Sequence, residues 1–208
     1  NDVYIKDMDV WTRAAVKKTL ADFRGQKAYV GLDLSSGGDL TSIAIVIPFM
    51  QGEDKCYFVH AHSFHPSEVE EHIKADRVPY DLWIRQGLVE VTETMGGVKT
   101  DYKYIIAYLK KIVKLYELDV QWICYDPHNA SAFLTDLEAL GFDSIAVKQS
   151  ARELNDPTVD FRLELEAGHV EHDGNEAMKW SIANAKTTSN SFGEIKIDKE
   201  YTTERIDI

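Results

Sequence analysis

Residues Lys27–Pro48 read KAYVGLDLSSGGDLTSIAIVIP. A strand runs into Ser35-Ser36-Gly37-Gly38, turns, and resumes as a second, apolar strand. Asp33 stands near the end of the first strand and Asp39 lies just past the turn. A carboxylate on a rigid strand beside a Gly-rich turn is well placed to hold a metal ion or a phosphate. The expected strands are Lys27–Leu34 and Thr41–Phe49. Ile43–Ile47 is an unbroken apolar run, as in a central strand covered on both faces. Gly52-Glu53-Asp54 then turns the chain into a third strand, Lys55–Phe64, so an antiparallel meander is expected.

Upstream, residues 1–26 read as peripheral. Asp9 is the expected cap of a helix over Val10–Phe23, ended by Gly25. Downstream, short helices are expected over Pro66–Ala75 and Tyr80–Gln86, a short strand over Leu88–Thr92, and a loop at Met95-Gly96-Gly97. Tyr102–Tyr116 carries Ile105, Leu109, Ile112 and Tyr116 at helical spacing. Val120–Tyr125 reads as a buried strand that delivers Asp126 at its C-terminal end. A helix over Ala130–Leu140 and a strand over Ser144–Lys148 complete a strand–helix–strand unit, which implies parallel pairing. Further helices are expected over Thr158–Ala167 and Glu176–Ala185, with a short strand or turn between them. A hairpin follows, from Thr187–Ser191 and Glu194–Asp198. The fold class is therefore α/β: a mixed sheet, meander first and parallel strands after, with helices against it.

The 208 residues are enough for one domain with a sizeable core. No apolar run approaches the ~20 residues of a membrane span, so no membrane partner is expected. Cys56 and Cys124 are far apart in apolar runs and read as buried free thiols, which fits a reducing compartment. The net charge is −12, from 23 basic and 35 acidic residues. That argues against a protein that coats nucleic acid non-specifically. It leaves room for an enzyme with a small footprint on DNA.

Asp33 and Asp126 each follow an apolar strand, YVGLD and WICYD. An acid at the end of a buried strand is costly unless it is paired or bound to a cation. Two neighbouring strands that end in Asp would bring two carboxylates together, and a divalent cation relieves their repulsion. The alternative reading is that each Asp caps the turn that follows it. Asp39, in a Gly-Asp pair, reads foremost as a turn former. Asp207, on spacing alone, reads as a solvated residue. His128, next to Asp126, is a candidate to assist the site. Neither His60, His62, His65 and His72 nor His169 and His172 have zinc-ligand spacing. No P-loop and no Gly-x-Ser-x-Gly elbow is present.

Four stretches, in this order, resemble a known family: GLDLSSGGDLTS, WICYDPHNA, GHVEHDGNEAMKWSIANA and FGEIKIDKEYTTERID. The last two carry the greater specificity, through His172, Gly174, Asn175, Trp180, Asn184, Gly193, Ile195, Lys196 and Arg205-Ile206-Asp207. They resemble the nuclease domain of the large terminase subunit of tailed bacteriophages, from about Gly25 to the end. The resemblance implies an RNase H-like fold with helices on both faces of the sheet. It implies metal-dependent endonucleolytic cutting of concatemeric viral double-stranded DNA during packaging, by two-metal-ion hydrolysis.

Carried onto this sequence, the family's catalytic and metal-binding acids fall on Asp33, Asp126 and Asp207, with Asp39 and His128 as supporting residues. Two ions, Mg²⁺ or Mn²⁺, are expected. Residues 1–26 would be an arm from a missing N-terminal packaging ATPase, and residues 27–208 the nuclease domain. Expected partners are DNA, that ATPase, a small terminase subunit and a portal, in the host cytoplasm and transiently at the procapsid. Lys148 or Arg152 are candidates to hold phosphate. Rival readings are a catalytically weak DNA- or portal-docking module, a resolvase or RNase H of the same fold, and a sugar-kinase or actin-like ATPase. The last needs a duplicated domain, for which 208 residues are too few.

Overall fold

The computed structural model describes residues 2–34, 40–66, 78–95, 99–128 and 130–199. Its centre is a seven-stranded mixed sheet. Strands β2 (Lys27–Asp33), β3 (Thr41–Gln51) and β4 (Asp54–Pro66) form the expected antiparallel meander. The β3–β4 hairpin pairs along its whole length, from Thr41 opposite Phe64 to Gln51 opposite Asp54. On the far side of β2, strands β8 (Asp119–Tyr125) and β9 (Ser144–Ala146) add in parallel. The outer edge of β4 is shared. Strand β10 (Val170–His172) pairs in parallel with Tyr57–Val59, and β5 (Val89–Thr92) pairs in parallel with Ser63–Pro66.

Helices cover both faces, as expected. Ile43, Ile45 and Ile47, all fully buried, belong to one core cluster with Ile105, Leu109 and Ile112 of α3 (Tyr102–Tyr116) and Phe133 and Leu137 of α4 (Ser131–Ala139). Val46, Val59 and Ala61 belong to the opposite cluster, with Leu165 of α5 (Ala151–Glu166) and Met178 of α6 (Glu176–Asn184). The alternation follows from the period-two geometry of a strand. Helix α3 begins where its sequence says, because the Asp101 carboxylate accepts the N–H of Lys103. Helix α2 (Tyr80–Arg85) and β5 hold a third, smaller cluster around Tyr80 and Trp83.

Four expectations change. The N-terminal helix is short: α1 spans Asp9–Arg13, and Leu20–Phe23 is a separate 3-10 turn capped by Thr19 and Asp22. Between them the backbone bridges to His172, through the N–H of His172 to the Ala14 carbonyl and the N–H of Val16 to the His172 carbonyl. Residues 2–26 pack on the body of the domain: Tyr4, Ile5, Trp11, Leu20 and Phe23 are buried, and β1 (Asp2–Val3) pairs with β11 (Lys186–Ser189). Helix α5 starts at Ala151, not Thr158, because the Ser150 hydroxyl caps it and the helix runs on through Pro157. The residues read as a loop contain a small hairpin of β6 (Thr94–Met95) and β7 (Lys99–Thr100). Strand β8 is covered on one face only. Ile123 is fully buried, while Trp122 and its ladder neighbour Tyr29 are each 40% exposed.

The expected helix over Pro66–Ala75 falls outside the described residues apart from Pro66, which ends β4. The expected C-terminal hairpin is present. β11 pairs with β12 (Ile195–Ile197) in a small second sheet that also takes in β1. Among the described residues, no helix is long and apolar enough to cross a membrane.

Candidate functional site

The parallel ladder between β2 and β8 places Leu32 opposite Tyr125. One residue on, at the carboxyl ends of both strands, come Asp33 and Asp126. Both line one cavity of about 370 Å³. The sequence pairs these two acids only by pattern; the parallel register brings them to the same mouth. Asp33 is 43% exposed, so water and ions have access to it.

The turn-capping reading of Asp126 is partly realised. Its Oδ1 accepts the backbone N–H of His128 at 2.9 Å. A carboxylate has about four lone-pair sites, so one turn bond does not exhaust it. His128 therefore meets Asp126 through its backbone, and it is exposed. Asp39 and Asp207 lie outside the described residues.

The rest of the cavity comes from a part of the chain that sequence reasoning did not assign to it. Gln149 follows β9, and Lys196, Ile197, Asp198 and Lys199 come from β12 and the residues after it. The Nζ of Lys199 lies 2.5 Å from Asp33 Oδ2. The Nζ of Lys196 lies 3.4 Å from Asp198 Oδ2, and the Thr188 hydroxyl donates to the same oxygen at 3.1 Å. Asp198 is 9% exposed, so its charge is held by these donors. Among the described residues, the cavity-lining cations are thus Lys196 and Lys199, in place of the expected Lys148 and Arg152. The signal available beforehand was the Lys-Ile-Asp-Lys run itself, which puts Lys196 and Asp198 on one side of a strand.

The position of β12 is built from two directions. Asn155 of α5 accepts the Ile195 N–H at 2.9 Å, and the Asp198 N–H donates to the Lys186 carbonyl. At the tip of the hairpin, Asn190 Oδ1 accepts from the backbones of Phe192 and Glu194. Gly193, at φ 79°, takes a left-handed conformation there that a side chain would strain.

The His172–Asn184 stretch serves this architecture, away from the cavity. His172 stacks on Trp11 with ring centroids 4.1 Å apart. It donates from Nε2 to the Trp11 carbonyl and accepts the Gly174 N–H at Nδ1. Burial pushes its pKa below the ordinary histidine value. Asn175 caps α6 through the Met178 N–H and donates to the Ala61 carbonyl of β4. Its neighbour Asp173 bonds His60 at 2.7 Å, and the other ring nitrogen of His60 meets Tyr108. These histidines tie helices to the sheet. Among the described residues, no group of three or more His, Cys, Asp or Glu is placed to hold a metal.

The donor chemistry of the cavity suits a hard cation. Among the described residues it offers carboxylate oxygens and no thiolate or imidazole, the set that Mg²⁺, Ca²⁺ and Mn²⁺ prefer. Among the described lining residues, three carboxylates face two lysines, which leaves that lining acidic.

The family model described as "Terminase large subunit, endonuclease domain" matches residues 2–208. The large terminase subunit of Enterobacteria phage HK97 is 31% identical over 186 residues, which are 88% of this chain and 35% of that protein. The crystal structure of the HK97 bacteriophage large terminase has a TM-score of 0.81 at 26% identity, covering 98% of this chain and 41% of that one. The large terminase nuclease of thermophilic phage G20c, with bound magnesium, has a TM-score of 0.52 at 14% identity. That alignment covers 88% of this chain and 76% of the G20c one, and it speaks for the fold alone. This chain spans about a third of the length of its HK97 relative. With the family match running from the second residue to the last, the chain belongs to the terminase large subunit endonuclease-domain family.

Proposed function

We propose that this domain is a divalent-metal-dependent endonuclease that cuts concatemeric viral double-stranded DNA during genome packaging. The observation that carries the reading is the arrival of Asp33 and Asp126 at the ends of adjacent parallel strands, in one open cavity. Asp33 and Asp126 would hold the metal, with Asp207 as the third carboxylate. The magnesium named with the G20c nuclease supports the choice of ion. Two such ions, once bound, would polarise a water and stabilise the departing oxygen of the phosphodiester.

The chain's own residues do the rest. Rigid strands hold the two acids in register. Lys196 and Lys199 offer positive charge where the backbone phosphates must come. The bond from His128 to Asp126 fixes one carboxylate oxygen and orients the other. In the whole protein, the expected companions are an N-terminal packaging ATPase, a small terminase subunit and a portal, at the procapsid in the host cytoplasm.

A plasmid-nicking assay with Mg²⁺, Mn²⁺ and EDTA tests the reading. The parent chain is expected to cut in Mn²⁺ and to stop in EDTA. Asp33→Ala and Asp126→Ala are each expected to lose about a hundredfold or more, since even outer partners of metal ligands cost 10–100-fold. Variants that cut as fast as the parent would refute the assignment.

A further inference from the structure

Lys199 and a divalent cation have a claim on the same atom. The Lys199 ammonium lies 2.5 Å from Asp33 Oδ2, across 166 positions of sequence. The fold builds this contact. The residue just before Lys199 is anchored, with the Asp198 N–H on the Lys186 carbonyl and the Asp198 carboxylate on the Thr188 hydroxyl. Lys196, on the same stretch, is turned to Asp198 instead. The Lys199–Asp33 pair is open to water, with side chains 52% and 43% exposed, so it can exchange.

We propose that Lys199 is a positioning residue that couples metal binding to DNA binding, and this rests on the nuclease reading above. An ammonium and a divalent cation cannot share one carboxylate oxygen without repulsion. The ammonium must leave Asp33 Oδ2 for an ion to bind there. A backbone phosphate, brought to the same cavity by a duplex, is the partner that receives it. Metal alone binds against the Lys199–Asp33 pair; metal with duplex does not. By linkage, each ligand then strengthens the other. The device favours an active site that loads when DNA is in place.

The test is calorimetric titration of Mn²⁺ into the chain, alone and with a short phosphorothioate-backbone duplex. Without duplex, Lys199→Met is expected to bind Mn²⁺ roughly two- to fivefold tighter than the parent, the scale of an exposed ion pair. Lys199→Arg should return the affinity to the parent value. Lys110→Met controls for net charge, being exposed on α3 and outside the residues that line the cavity, and should leave the affinity unchanged. The tightening produced by the duplex should be smaller in Lys199→Met than in the parent. The proposal is overturned if Lys199→Met binds Mn²⁺ no tighter than the parent, if Lys110→Met tightens it equally, or if the duplex effect is unchanged. A parent chain that binds no Mn²⁺ overturns this proposal and the nuclease reading together. A parent that cuts plasmid in Mn²⁺ while Lys199→Met fails these criteria overturns the coupling alone.

Discussion

Asp126 carries two jobs that one substitution separates. Its Oδ1 holds the turn through the His128 N–H, and the same carboxylate faces the cavity with Asp33. An asparagine keeps an oxygen acceptor for the turn and loses the charge. Asp126→Asn is therefore expected to stay within about 0.5 kcal/mol of the parent in urea unfolding. Its cutting should fall by about a hundredfold or more in the nicking assay. A large loss of stability would instead make the turn its main role. Asp198 is the contrasting residue. It is buried, bonded by Thr188 and Lys196, and anchored by its own N–H. It lines the cavity as part of the scaffold that delivers Lys199.

At the scale of elements, α5 and β12 act as one unit. Helix α5 presents Asn155 to the backbone of β12, and β12 carries Lys196 and leads into Lys199. Pro157 sits inside the same helix and removes one backbone donor, the one that would reach the Glu153 carbonyl. Asn155→Ala leaves the Ile195 N–H without its side-chain acceptor. A cost of roughly 1–3 kcal/mol is expected in chemical denaturation, the range for an unpaired polar group. Looser placement of β12 should also raise the Mn²⁺ affinity in the direction of Lys199→Met. Unchanged stability together with unchanged metal affinity would show that Asn155 does not hold the strand.

The molecule as a whole should be acid-sensitive through two largely buried histidines, His62 and His172. Burial lowers the folded-state pKa of His62, which stacks on Tyr108, and of His172, which stacks on Trp11. In the unfolded chain both titrate near the ordinary histidine value of about 6.5. Below that pH the unfolded state binds more protons than the folded state, so protonation favours unfolding. Their contribution is present in full above about pH 6.5 and is lost as pH falls toward the depressed folded values. Urea midpoints at descending pH below neutrality should fall, and His172→Gln should flatten that fall. A midpoint that rises on acidification through this window would contradict the burial of both rings.

Much of this is legible in the sequence. The meander, α3 and the parallel unit that ends in Asp126 follow from periodicity and punctuation, which are local properties of the chain. The pairing of Asp33 with Asp126 was readable as two apolar strands each closed by an acid. The break of the N-terminal segment at Ala14–Val16 was not readable, because its cause is a bridge to His172. The early start of α5 was hidden by Pro157, a residue that argues for a boundary when the helix cap at Ser150 is not weighed. The exposure of Trp122 was invisible because a strand's sequence does not say which of its faces is covered. The family resemblance singled out His172, Gly174 and Asn175, but their work, stacking on Trp11 and capping α6, appeared only in three dimensions. The sequence by itself determined the strands, the helices and the two acids at their ends, since backbone period and burial cost act over a few residues. Only the tertiary structure decided that Lys199 meets Asp33, because that contact depends on how α5, β11 and β12 pack.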